Sequence, residues 1–150
     1  MQAGRSCRYS PDVRAQTKIT ATNLRSQLRQ LASPSNAKFL QRFFKTAPGE
    51  YGAGDQFIGI RVPVLRRLAK EFHLLPLREV TLFLRSPIHE ERLLALLILV
   101  DAFQRGDESR RVAIYKLYLK NLAGVNNWDL VDTSAPLIIG RSSCCRILRP

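Results

Sequence analysis

The eight residues Leu93–Val100 read "LLALLILV" and carry no polar side chain. They sit inside a helical pattern that begins near Glu90 and ends near Gly106. A helix that is apolar on nearly every side cannot lie on a surface and must be enclosed by neighbours. Eight residues are too few for a membrane span, which needs ~20. The enclosing medium is therefore protein, and this helix is expected to be the central pillar of a core. A chain of 150 residues suits one domain and buries roughly 70% of its unfolded surface.

The rest of the chain shows a 3.6-residue period and no convincing strand alternation, so the class is all-α. A first helix is expected from about Asp12 to Leu31, and a second after "SPSN" with Ala37, Leu40, Phe43 and Phe44 on one stripe. Residues 47–63 hold four of the eight glycines and two prolines and read as an ordered loop or set of turns. Pro63 suits a first helical position, and Leu65, Leu68, Ala69 and Phe72 follow at helical spacing. A shorter helix ends before Pro87. Ser86 is expected to cap the pillar, with Pro87 at its first position and Glu90 and Glu91 in its first turn. In the following helix Val112, Tyr115, Leu119 and Leu122 form the expected stripe, closed by Gly124. The last helix starts at Asn126 or Asn127 and runs through Trp128 toward Ile139. It lies about 38 residues after the pillar, near the ~40–47 period of armadillo and HEAT repeats. Short turns between single-striped helices suit a stacked solenoid.

Charge narrows the partners. The net charge is +12, but residues 46–140 are nearly balanced, and residues 1–45 hold nine basic side chains against the single Asp12. Such an excess invites a polyanion, either through a basic N-terminal helix facing phosphates or not at all, if that terminus fits the fold poorly. Cys7, Cys144 and Cys145 form no pairing pattern, which argues against a secreted disulfide scaffold and for an intracellular chain. The Arg-containing, nearly acid-free start faintly resembles an organellar transit peptide.

Most familiar chemistries are absent. Gly52 and Gly54 lack the strand, the spacing and the lysine of a phosphate loop. His89–Glu90 opens like a zinc-protease helix, yet the position of the second ligand is Leu93, so no metal site is expected. No nucleophile elbow occurs. There remains "VNNWDLVD", where Trp128 and Asp132 at i and i+4 share a helix face while Asp129 is turned roughly 100° away. An aromatic face beside a carboxylate can stabilise developing positive charge. On the residues alone the pair is either core packing with a solvated or capping carboxylate, or a site.

"RFFKTAPGEYGAGDQFIGIRVPVLRRLAKEF", "SPIHEERLLALLILVDAF" and "YLKNLAGVNNWDLVDTSAPLIIG" together strongly resemble the bacterial DNA alkylation repair family of AlkD-type DNA glycosylases. The resemblance covers about residues 36–140. It implies a HEAT-like helical repeat wound as a right-handed superhelix. It also implies hydrolysis of the N-glycosidic bond of 7-methylguanine, 3-methyladenine and similar cationic bases in duplex DNA, with no metal or organic cofactor. By the family's W-D-x-V-D motif, Asp132 would stabilise the oxocarbenium sugar and position water, and Trp128 would contact the lesion's deoxyribose. Phosphate contacts are expected from Arg66, Arg67, Lys70, Arg110 and Arg111, whose other reading is a solvated outer face. The organisation expected is a basic N-terminal helical segment over residues 1–35, the repeat domain over 36–140 and an atypical tail over 141–150. By the resemblance, the family continues through further helices with a second site tryptophan and a DNA-contacting arginine where this chain reads "RSSCCRILRP", so a C-terminally truncated member is expected. A cytoplasmic, nucleoid-associated monomer that binds no membrane is expected. The rival readings are a non-catalytic helical-repeat module for DNA or protein, an inactive fragment of the enzyme and, on charge alone, an RNA-binding solenoid.

Overall fold

The computed structural model describes residues 19–44 and 46–144. The expected stretch of the first helix before residue 19, Cys7 and the tail beyond residue 144 lie outside them. Among the described residues there are seven α-helices and no strand: α1 Ala21–Leu31, α2 Pro34–Phe43, α3 Val62–Glu71, α4 Leu77–Leu84, α5 His89–Arg105, α6 Glu108–Lys120 and α7 Trp128–Cys144. The fold is the all-helical one expected, and it is consistent with the helical-repeat DNA alkylation repair fold.

The pillar is α5. It packs on α3, α4, α6 and α7, and Leu94, Leu96 and Leu99 are fully enclosed. Helices α3, α5 and α7 pack in series, with α4 packed on α5 and α6 packed on both α5 and α7. Ahead of these, α1 lays Leu24 and Leu28 into the core and packs on α4, whose Glu79 carboxylate accepts from the Ala21 amide.

Three local expectations are corrected. Ser86 does not cap α5; its hydroxyl accepts from the Ile88 amide, and the helix begins two residues later than Pro87, at His89. The buried residues of α6 are Ile114 and Tyr118, whereas Leu119 and Leu122 are exposed. The Tyr118 hydroxyl is 3.0 Å from the Ser134 hydroxyl on α7, so the partner helix selected a different stripe from the one the sequence favoured. In α2 no residue is buried, and Phe43 is 70% exposed, with its ring 5.1 Å from that of its neighbour Phe39.

The glycine-rich segment is a run of turns. Gly59 has φ +80, and a Cβ there would collide with the Ser33 carbonyl. Only glycine combines that backbone conformation with so close an approach. The segment is stitched to the start of α5 by its main chain: Gln56 N–H donates to the Pro87 carbonyl and His89 N–H to the Gln56 carbonyl.

Candidate functional site

Helix α7 has two unlike faces. Leu130, Ser134 and Ile138 are buried, whereas Trp128, Asp132 and Pro136, offset by two residues, are exposed. Trp128 is 71% exposed, the largest figure among the exposed large hydrophobic residues. That decides against core packing for the tryptophan. The Asp132 side chain caps nothing and makes no hydrogen bond or ion pair among the described residues. Its carboxylate and the indole stand one turn apart on an open surface.

The first turn of α7 is held from beneath. Arg92 of α5, buried, donates to Asp55 Oδ2 at 2.6 Å, to the Ser86 carbonyl at 2.9 Å and to Asn126 Oδ1 at 3.2 Å. Asn126 and Asn127 both return amide N–H groups to the Asp55 carboxylate. The Asn127 Nδ2 also lies 3.3 Å from His89 Nδ1. Carboxylates flank both ring nitrogens: His89 Nε2 lies 2.7 Å from Asp129 Oδ2, and Nδ1 lies 3.6 Å from Asp55 Oδ2. Burial of so much charge is tolerated because the Asp55 carboxylate and both terminal guanidinium nitrogens of Arg92 find partners, while Arg92 Nε and Asn127 Oδ1 are buried without one among the described residues. His89 is only 3% exposed, and the Asp129 side chain is 33% exposed. Phe44 and Phe57 stack against each other and both pack on the His89 ring.

The two aspartates of "WDLVD" therefore face different surroundings. Asp129 borders a cavity of about 250 Å³ walled by Leu40, Phe44, Ile60, Pro63 and Leu93. A space of that size does not admit a nucleic-acid duplex. Asp132 stands on the open face and can meet a large partner.

A family model described as DNA alkylation repair enzyme matches residues 24–144. The chain belongs to the DNA alkylation repair enzyme family. No curated protein and no solved structure matches the chain. Family membership implies a role in the repair of alkylated DNA, and so a DNA substrate.

Within this DNA alkylation repair protein the structure brings Trp128 and Asp132 together as the spacing predicts. Arg66, Arg67 and Lys70 are exposed along α3, with Leu65, Leu68 and Ala69 buried behind them. Arg110 and Arg111 stand elsewhere, at the C-terminal end of α5. Arg110 packs beside Gly106, and α5, with 17 residues, is about 25 Å long at 1.5 Å per residue. Arg111 lies over the Phe103 ring and donates to the Phe103 and Gln104 carbonyls. Sequence reasoning overlooked Asp55, Arg92, Asn126 and Asn127, and it dismissed His89 with the failed zinc pattern. The one available signal was the repeat spacing, which makes the starts of α5 and α7 equivalent and hence neighbours. Among the described residues no group of three or more His, Cys, Asp or Glu side chains could hold a metal ion, and no helix is long and apolar enough to cross a membrane.

Proposed function

We propose that this protein is a DNA glycosylase that hydrolyses the N-glycosidic bond of cationic alkylated purines, 7-methylguanine and 3-methyladenine among them, in duplex DNA. The observation that carries the reading is the open placement of Trp128 and Asp132 on α7 in a chain of the DNA alkylation repair family. An alkylated base that already bears positive charge leaves as a neutral molecule and needs no proton from the enzyme. The work left to the protein is to stabilise the sugar as it becomes cationic and to supply water. Docked duplex excludes solvent, which strengthens the attraction between the Asp132 carboxylate and the oxocarbenium carbon. The Trp128 ring presents its negative face to the same charge. Water adds at C1′ and its proton passes to Asp132.

Arg66, Arg67 and Lys70 are proposed to hold phosphates, with Arg110 and Arg111 as further contacts, in a cytoplasmic, nucleoid-associated monomer. Such contacts weaken as salt rises.

The test is release of methylated bases from alkylated duplex DNA by the purified protein. Excision that is abolished in a folded Asp132→Asn variant is the expected result. Duplex binding without any excision would replace this reading by the non-catalytic binding module.

A further inference from the structure

The exposed stripe of α7 holds a third residue whose chemistry acts on Asp132. In an α-helix each carbonyl accepts from the N–H four residues on. Four residues after Asp132 stands Pro136, inside α7, and proline has no N–H to give. Its ring also crowds the carbonyl four residues back. The Asp132 carbonyl is thus deprived of its regular donor, and Trp128, Asp132 and Pro136 are all exposed. The opening in the helix ladder lies on the same side as the carboxylate and the indole. Proline is the least favourable residue for a helix interior, so this position opposes the helix's own stability at the one turn that the candidate site occupies.

We propose that the main-chain carbonyl of Asp132, released by Pro136, is a second acceptor in the site and orients the attacking water together with the carboxylate. The inference rests on the glycosylase reading. A water that donates one hydrogen to the carboxylate and the other to the carbonyl keeps its lone pairs for the sugar. As the N-glycosidic bond breaks, its electron pair leaves with the cationic base, which becomes neutral. The water oxygen bonds to C1′, and the hydrogen facing the carboxylate is transferred to it as a proton. The carbonyl takes no proton. It fixes the direction of the other O–H, a task the carboxylate alone leaves to chance.

The experiment replaces Pro136 in the full chain by Ala, which restores an N–H to the Asp132 carbonyl. The melting temperature is expected to stay the same or rise. Single-turnover base release at saturating protein is expected to fall by about tenfold, the worth of one hydrogen bond in the transition state. Duplex affinity should hold within about threefold, since no phosphate contact changes. A purely structural proline gives the opposite signature, with lower stability and activity lost only in step with folding. Pro136→Gly separates the carbonyl from the bend, because it also supplies the N–H yet tolerates a kink. Loss of release in both variants supports the proposal. Full activity in Pro136→Ala, or loss in Ala with retention in Gly, overturns it while the glycosylase reading stands. Absence of excision by the unaltered protein, or excision retained in Asp132→Asn, overturns both.

Discussion

The two ends of α5 meet their surroundings in opposite ways. At its start His89, Glu90 and Arg92 are buried and bonded to residues more than 30 positions away: Asp129, Gly59 and Asp55. At its finish Arg105 pairs with Asp101 one turn back, and Arg111 reaches carbonyls of the same helix–turn. The first end is a clamp that joins the turns after α2, the pillar and the first turn of α7. The second end is a helix terminus bonded to itself and washed by solvent. Charged side chains at the two ends thus have unequal value, because burial sets what is lost when one partner is removed. The clamp lies directly under the open face of α7, so the stiff end of the molecule is the one that carries the candidate site.

Arg92→Ala breaks this contrast most severely. It leaves the Asp55 carboxylate buried without its guanidinium, and the expected loss is about 3–5 kcal/mol in urea unfolding. A loss below about 1 kcal/mol would show that the clamp is no stiffer than the surface. Glu90→Ala removes the acceptor for the Ile58 and Gly59 amides, and an expected cost of about 1–3 kcal/mol follows from leaving those donors unpaired. Its amide exchange should rise in residues 58–59 and not in α6. At the other end, Arg105→Ala deletes a pair in which the arginine is 64% exposed. Its effect should stay below about 1 kcal/mol and shrink further in high salt.

What could be read from the sequence follows the same division. The pillar was legible because an all-round apolar helix has one solution, and the order of the helices followed from prolines, glycines and period. The stripe of α6 was not, since Val112, Ile114, Tyr115, Tyr118 and Leu119 offer two overlapping faces. The choice was made by α7, through Ser134. Trp128 and Asp132 were legible as a pair because four residues of helix place side chains together whatever the fold. Asp55 with Asn127, separated by 72 positions, was invisible: no local rule relates them, and polar residues in turns read as solvated. Asn126 and Asn127 in particular look like helix caps, yet their side chains serve the carboxylate of a distant turn.

Trp128 is the only tryptophan in the chain, and it stands in the candidate site with most of its ring in water. All indole emission therefore originates at one point on α7. Its colour, quenching and polarisation report the state of that point without a label, so a duplex that settles over the indole, or a loosened first turn after His89→Ala, announces itself in the protein's own light.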